Sequence, residues 1–333
     1  MDTSELLGSP AAVLPRDRDD QDFERYMASV FDEYLRGVSS LDSSRRLDVQ
    51  ILAARDDIER LNDLILKALG EYLAGSPAAA YGHLVAAVEF VYLRLSSLQS
   101  IPVDPDSVGP LYRLARTDDA LPGKERLFHT PFGLRHKVGQ HRYGIPGFPC
   151  LYLGGSLELC ASECRVSGED LPKAAVAAFA FRRAARFLDF GYRPSVMAHY
   201  ARAATLGNNP GLDKLVVSYA VCWPLLAACS IKRMHDGEPF AHEYIIPQMV
   251  LQWVMSKEEC DGVRFFSTRF ESAESPIKKV VNYVFPATHD IDLGHSFSRR
   301  LRDLFEFTDP VLWGTRPPEN VEAALVQMTK SSL

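Results

Sequence analysis

The sequence predicts an α+β protein, in which a helical segment precedes a larger part that mixes strands and helices. Between about residues 21 and 105, apolar residues recur every three or four positions, as on one face of an α-helix. From residue 111 onward, the apolar runs become short and are bounded by glycine, proline and charged residues, which is typical of strands. Neither a GxGxxG nor a GxxxxGKS/T motif occurs, so the two common phosphate-binding loops are excluded.

Three amphipathic helices are expected in the N-terminal part, and the second is expected to be continuous from Ile51 to Tyr72. Gly75 and Pro77 then end that helix and start the next. Such helices can bury a common seam as an antiparallel bundle, and the proline-containing segment 100–110 closes it as a linker. The apolar stripes are Phe23, Tyr26, Val30 and Tyr34; Ile51, Ala54, Ile58, Leu61, Ile65, Ala68 and Tyr72; and Leu84, Val88, Val91, Leu95 and Leu98.

Six apolar runs in the larger part are predicted to be strands, with helices between them. The helices are expected at about 157–165, 195–206, 213–230 and 243–257. Pro247 is compatible with the last helix because it lies in the first turn, where its missing N–H is not needed. The strand runs are "LYRLAR", "CLYLG", "AAVAAFAF", "RFLDF", "GVRFFS" and "VVNYVF".

Composition and charge exclude several classes of protein. The net charge of −6 argues against general nucleic-acid binding, and no apolar run of membrane-spanning length or signal-peptide pattern is apparent. The six cysteines are scattered between residues 150 and 260, so we expect reduced thiols in a cytoplasmic protein. Cys160 and Cys164 would share a helix face, but no paired histidine or cysteine motif accompanies them, and no metal site is expected.

A cation, an aromatic ring and a carboxylate lie close together in the segment "HRYGIPGFPCLYLGGSLELCASECR". Arg142 precedes a Pro-Gly turn, Tyr152 lies in a predicted strand, and Glu163 lies in a predicted helix. These side chains are what a site for a phosphate-bearing nucleotide requires, although all three are also common surface residues.

The order of several sequence blocks resembles the RES domain family over about residues 111–287. The blocks are "LYRLAR", "FHTPFGLRHKVGQHRYGIPGFPCLYLGGSLELCASE", "HEYIIPQMVLQWV", "CDGVRFFSTRF" and "NYVFPA". This resemblance implies an ADP-ribosyltransferase-like fold and a toxin that consumes NAD, by phosphorolysis, by hydrolysis or by ADP-ribosylating a target. It also implies domain ranges of 106–290 for the catalytic domain and 291–333 for a C-terminal extension.

The resemblance assigns roles to individual residues. Arg142, Tyr152, Glu163 and Ser267 match the family's arginine, tyrosine, glutamate and serine, and Arg113 matches an arginine that opens the domain. Gly144 is a departure, since related sequences often have a small polar residue there.

Chemistry suggests how these residues act on NAD. Arginine suits a pyrophosphate, so Arg113 and Arg142 are expected to bind it, with Arg135 as a further candidate. Glu163 is expected to stabilise an oxocarbenium-like transition state. Tyr152 is expected to pack against the nicotinamide, and Ser267 to hydrogen-bond the substrate. Tyr143 and Asn282 complete the expected ligand contacts.

The N-terminal part is expected to have a separate role. Residues 1–20 are polar, acidic and proline-containing and are expected to be disordered, and 21–105 form a regulatory or interaction domain. Residues 1–105 hold 10 Lys and Arg against 18 Asp and Glu, whereas the remainder holds 27 against 25. The acidic part therefore suits an antitoxin, immunity or regulatory partner, or homo-oligomerisation through the seam from Ile51 to Tyr72.

Three functions stay open from the sequence. The first is an NAD-consuming toxin that passes ADP-ribose to phosphate or water. The second is an ADP-ribosyltransferase that modifies a protein or nucleic acid, and the third is a catalytically inactive ligand-binding or interaction module.

Overall fold

The computed structural model describes residues 1–18, 22–94, 108–117, 121–207, 209–235, 237–270, 277–288, 294–314 and 318–331. It confirms the α+β class, with an eight-stranded sheet and a helical N-terminal region. The chain divides into two compact units. The first contains residues 1–100 and 188–253, and the second contains 101–187 and 254–333.

The α-helices that the structure describes are α1 Thr3–Leu7, α2 Phe23–Ser39, α3 Arg46–Ala53, α4 Arg55–Leu73, α5 Pro77–Phe90, α6 Leu157–Cys164, α7 Pro194–Gly207, α8 Pro210–Ala228, α9 Ile245–Met255, α10 Arg299–Leu304 and α11 Pro318–Ser331. Among them, α2 and α5 to α9 lie close to predicted positions, whereas α1, α10 and α11 were not predicted. Leu95, Leu98 and most of the expected linker 100–110 lie outside the described residues.

The expectation of one continuous helix from Ile51 to Tyr72 is wrong, because the helix is interrupted at Ala54. Ala54 has φ −98° and ψ 11°, and it separates α3 from α4. Asp56 and Asp57 follow in the first turn of α4, where carboxylates are favoured by the helix dipole. The buried stripe continues through the break, since Ile51, Ala54 and Ile58 are all buried.

The expectation of disorder for residues 1–20 is also corrected for residues 1–18. Asp2 and Glu5 form a capping box that starts α1, and Leu6 and Leu7 are buried. The Thr3 backbone N–H donates to Asp48 Oδ1 at 2.9 Å. Local capping and apolar burial therefore order a segment whose overall composition is polar and acidic.

Helix α8 lies at the centre of the first unit. The Tyr34 and Trp223 rings stack at 3.9 Å, and the Tyr34 hydroxyl donates to the carbonyl of Ala220 at 2.8 Å. The Trp223 indole N–H donates to the carbonyl of Ala12 at 2.9 Å. The first unit thus joins residues 1–100 to residues 188–253, a segment between Glu163 and Ser267 that was expected in the catalytic domain, so its range differs from the expected 21–105.

Helix α8 is long and apolar enough to cross a membrane by length and composition, although the sequence had suggested no such run. Within the described residues it alone meets this criterion, and 78% of its apolar window is buried inside the protein. Pro210 occupies its first turn, and the Asn209 side chain caps it.

The sheet has the strand order β4-β5-β6-β2-β1-β3-β7, and β8 also pairs with β3. Every pairing with a described register is antiparallel. The strands are β1 Leu111–Arg116, β2 Cys150–Gly154, β3 Ala174–Phe181, β4 Phe187–Phe190, β5 Gly262–Phe266, β6 Val281–Pro286, β7 Phe305–Phe307 and β8 Val311–Leu312. β4 spans the boundary between the two residue ranges.

The predicted C-terminal extension is part of this sheet rather than an addition to it. Phe179 in β3 lies opposite Phe307 in β7, and Val176 lies opposite Val311 in β8. Both strands were missed in the sequence because β7 has three residues and β8 has two. The second unit accordingly extends to Leu333, beyond the expected domain end at residue 290.

Two apolar clusters form in the second unit. One contains alternate residues of β3 such as Ala175 and Phe179, together with Leu151 and Leu153 of β2. The other contains the intervening residues of β3, together with residues of β1, α6 and α11. Because strand side chains alternate in direction, the two clusters lie on opposite faces of the sheet. Helix α6, which carries Glu163, therefore packs on one defined face.

His129 is a buried polar residue of the second unit. It is 1% exposed, and its Nδ1 lies 2.8 Å from the carbonyl of Thr130. Its Nε2 accepts the Ser298 backbone N–H at 2.9 Å, so the ring is neutral and donates through Nδ1. Burial lowers the pKa of His129 to about 4.

Acidification is expected to destabilise the second unit through His129. Because the pKa is lower in the folded than in the unfolded protein, the contribution is complete above about pH 6.5 and is lost as the pH falls towards about 4. Between pH 7 and pH 5 the loss should be about 2 kcal/mol. Urea unfolding of the wild type and His129→Gln at both pH values measures it. The exposed His136→Gln is the control, and an unchanged pH dependence in His129→Gln would contradict the assignment.

Candidate active site around Glu163

Helix α6 packs closely on the sheet because Gly154 has no side chain. A Cβ atom at Gly154 would lie 2.7 Å from the Cys160 Sγ and 3.4 Å from the Ser156 carbonyl. Ser156 caps the helix by accepting the Leu159 N–H at 3.3 Å. The strand-turn-helix segment therefore sets the distance of α6 from the sheet by local sequence.

Glu163 is held by two hydrogen bonds at the C-terminal end of α6. Its Oε1 accepts from the Ser267 hydroxyl at 2.7 Å and from the Asn282 Nδ2 at 2.6 Å. Among the described residues, its Oε2 accepts no hydrogen bond. The carboxylate is thus held through one of its two oxygens.

Sheet register explains why these three residues meet. Asn282 in β6 lies opposite Gly154 in β2 and opposite Phe265 in β5. Ser267 immediately follows β5. Sheet pairing therefore brings Glu163, Ser267 and Asn282 together from three segments of the chain. Glu163 and Asn282 are 119 positions apart in the sequence.

The Ser267 hydroxyl has a defined direction. Its Oγ accepts the backbone N–H groups of Arg269 at 3.0 Å and Phe270 at 2.9 Å. Its proton consequently points to Glu163, and the residue is 1% exposed. The sequence analysis expected Ser267 to hydrogen-bond the substrate, whereas in the structure its hydroxyl donates to the Glu163 carboxylate.

Arg142 reaches the same end of β5. Its Nη2 donates to the Thr268 Oγ1 at 3.2 Å, and Thr268 directly follows Ser267. The guanidinium of Arg142 and the carboxylate of Glu163 are therefore connected through two adjacent residues.

Tyr152 lies beside this cluster on the sheet. It pairs with Val284, so Asn282 is its diagonal neighbour on the same face of the sheet. The His141 ring packs edge-on against the Tyr152 ring at 5.5 Å. Desolvation lowers the pKa of His141, and the charge of Arg113 lowers it further.

Arg113 is a cation in a desolvated setting. Burial lowers the pKa of its guanidinium. Among the described residues it makes no ion pair, and its hydrogen bond is a long one, 3.5 Å from Nη1 to the carbonyl of Tyr152. An anionic ligand would compensate this charge.

Two predicted ligand residues lie in other surroundings. Tyr143 is 1% exposed, and its ring packs 4.6 Å from that of Phe265. Arg135 lies over the rings of Phe132 at 5.2 Å and Phe148 at 5.9 Å. No described contact joins either residue to Glu163.

Two residues that contact the ends of β5 and α6, Thr268 and Glu322, were missed in the sequence. Thr268 was passed over because a threonine after a strand has no distinctive signal. Glu322 was missed because it lies in the range expected to be an extension, although its Oε1 accepts the Leu157 N–H at 3.2 Å. Within the described residues, no group of three histidine, cysteine or acidic side chains is placed to hold a metal ion.

A side chain at Gly144 is expected to disturb Tyr152. A Cβ atom there would lie 2.5 Å from the Tyr152 hydroxyl oxygen and 3.0 Å from the His141 Cβ. Gly144→Ala should therefore destabilise the protein by about 1–3 kcal/mol.

A double-mutant cycle with Tyr152→Phe tests the contact by urea unfolding. Because Tyr152→Phe removes the hydroxyl oxygen that the added methyl group of Gly144→Ala would meet, the double variant should be about 1 kcal/mol more stable to unfolding than the sum of the two single effects predicts. Gly139→Ala is the control, because no atom lies within 4 Å of its added Cβ. Additive single effects would show that the two residues do not clash.

Comparison with known proteins gives a sequence similarity over most of the chain. No family model matches. The chain is 26% identical over 302 residues to "Putative toxin YopC" of Bacillus subtilis (strain 168), covering 88% of this chain and 66% of that protein. This chain therefore spans slightly less than two thirds of the relative's length.

A solved structure, the M. tuberculosis MbcT-MbcA toxin-antitoxin complex, shows a weak likeness. Its TM-score is 0.32 at 13% identity, over 71% of this chain and 97% of that one. The similarity to YopC supports the resemblance to a bacterial toxin family that the sequence blocks carry.

Proposed function

We propose that this protein is an NAD-consuming toxin that cleaves the bond between nicotinamide and ribose and passes ADP-ribose to phosphate or water. The observation that carries the proposal is the Glu163 carboxylate, held at Oε1 by Ser267 and Asn282, with Oε2 left without a described donor. The relationship to a protein named as a toxin agrees with a harmful activity.

Cleavage of this bond develops positive charge on the ribose ring, as in glycoside cleavage. A carboxylate fixed beside the ring stabilises that charge without having to reorganise. In this proposal, Oε2 of Glu163 faces the ribose and its hydroxyls. Ser267 and Asn282 hold the carboxylate in place, so Ser267 acts through Glu163 rather than as a nucleophile.

The pyrophosphate of NAD needs cationic partners. Arg113 suits this role because it is desolvated and makes no ion pair among the described residues. Arg142 provides a second guanidinium close to Ser267 through Thr268. Guanidinium groups bind phosphates through paired, charge-assisted hydrogen bonds. Tyr152, next to Asn282 on the sheet, is proposed to contact the nicotinamide end.

Transfer to a protein or nucleic acid is the alternative within the same chemistry. The acceptor is the group that reaches the anomeric carbon after nicotinamide leaves, so phosphate, water and a macromolecule share the same first step. Chromatography of the products with and without phosphate separates phosphorolysis from hydrolysis. An antitoxin or other regulatory partner that restrains the activity is part of this proposal.

Substitution of Glu163 is expected to slow nicotinamide release strongly. Glu163→Gln keeps the shape and an acceptor for Ser267 and Asn282 but loses the charge, so the rate should fall by about a hundredfold or more. The measurement is nicotinamide release from NAD by the full-length protein. Glu158→Gln, an exposed residue on the same helix, is the matched control and should stay within about threefold of wild type.

Two results would contradict the proposal. If the wild type releases no nicotinamide with or without phosphate, hydrolysis and phosphorolysis are excluded, and the transferase and the inactive-module functions remain. If nicotinamide appears but Glu163→Gln stays within about threefold of the wild type, the role of Glu163 is wrong.

Substitution of Arg113 is expected to weaken NAD binding. Arg113→Gln removes a charge-assisted contact, so KM for NAD should rise by about tenfold to a hundredfold. Arg25→Gln, at an exposed position of α2, is the control and should leave KM unchanged. An unchanged KM in Arg113→Gln would place the pyrophosphate elsewhere.

A further inference from the structure

Helix α6 is held at both ends by residues from distant parts of the chain. Its C-terminal end carries Glu163, which Ser267 and Asn282 hold. Its N-terminal end meets Lys279 and Glu322. The second set of contacts is not explained by the chemistry proposed above.

The N-terminal end of α6 is held by three described contacts. The Ser156 hydroxyl, which caps the helix, donates to the carbonyl of Lys279 at 2.9 Å. Glu322 Oε1 accepts the backbone N–H of Leu157 at 3.2 Å. Glu322 Oε2 lies 3.7 Å from the Lys279 Nζ, which closes the group.

Glu322 satisfies a need that every helix has at its start. The first backbone N–H groups of a helix have no partner within the helix, and the dipole there favours an anion. The Glu322 side chain is only 14% exposed, whereas that of Lys279 is 46% exposed. Desolvation raises the pKa of Glu322. Burial of this carboxylate is therefore unfavourable in itself, and its contacts at the start of α6 offset that free-energy cost.

Helix α11 is positioned for this contact by apolar packing. Val321 is 1% exposed and Leu325 is 0% exposed. Both belong to the apolar cluster that contains Leu157 and Cys160 of α6. The backbone of α11 is therefore set by burial, and Glu322 projects from it to the start of α6.

We infer that Glu322 is a positioning residue for Glu163, and that the C-terminal helix α11 is for this reason part of the active unit. The inference rests on the proposed function. At a rise of about 1.5 Å per residue, Leu157 and Glu163 are about 9 Å apart along a short, rigid helix. A change at one end tilts the helix and moves the carboxylate at the other, and catalytic groups tolerate displacements of only about 0.5 Å.

Two substitutions of Glu322 in the full-length protein distinguish the effect of its side-chain length from the effect of its negative charge. Glu322→Gln keeps an acceptor within reach of the Leu157 N–H, and kcat should stay within about threefold of wild type. Glu322→Asp keeps the charge but is one methylene too short, and kcat should fall about tenfold or more with KM for NAD within about threefold. Glu319→Asp, an exposed site on the same helix, should leave both unchanged.

Hydrogen exchange of the α6 amides gives a readout that does not depend on activity. Exchange at residues 157–164 should be about tenfold faster in Glu322→Asp than in wild type, and unchanged in Glu319→Asp. A kcat within threefold of wild type in Glu322→Asp, or a rise in KM alone, would overturn the inference.

Failure of the proposed function gives a different result. The wild type would then release no nicotinamide, and the exchange experiment would still decide the contact. Equal exchange in Glu322→Asp and wild type would overturn the anchoring by Glu322. Faster exchange in Glu322→Asp would show that Glu322 anchors α6, whereas the absence of nicotinamide release would contradict the catalytic role of Glu163.

Discussion

The candidate site depends on the hydrogen bonds that hold the Glu163 carboxylate. A charged group that is partly removed from water needs donors, and Ser267 and Asn282 supply two at 2.7 and 2.6 Å. Ser267 is itself fixed by the backbone N–H groups of Arg269 and Phe270. The direction of the carboxylate is therefore set by the backbone after β5 and by the register of β6, not by α6 alone.

The second unit is organised so that this register is well specified. Leu151 and Leu153 point to one apolar cluster, and a shift of one residue in β2 would move them to the other face of the sheet. The same shift would move Asn282 away from its place opposite Gly154. Burial of the apolar residues thus also fixes the polar contact to Glu163.

The first unit follows the same logic with a different central element. Tyr34 stacks on Trp223 and donates to the carbonyl of Ala220, and both partners lie in α8. The apolar stripes of α2 and α4 were recognisable in the sequence, but the helix that covers them comes from residues 210–228. A stripe shows that a helix face is buried without showing what buries it.

Local sequence determined most of the elements of this protein. The helix stripe from Phe23 to Tyr34, the Gly75 and Pro77 boundary, and the six strand runs were readable because apolar period and turn residues act over a few positions. The start of α1 depends on a capping box, and after Ala54 the first turn of α4 carries two carboxylates; both are weaker local signals.

The family resemblance predicted that Glu163, Ser267 and Asn282 belong to one site. In the structure, Glu163 contacts both of the other residues. Tertiary structure alone decided how they meet, since their contacts join segments separated by 104 and 119 positions. It likewise decided that β7, β8 and Glu322 belong to the same unit as Glu163. The physical reason is that short strands and single side chains gain their partners only when distant apolar faces are buried together. The spacing of apolar residues within one segment does not indicate which distant segment it will pair with.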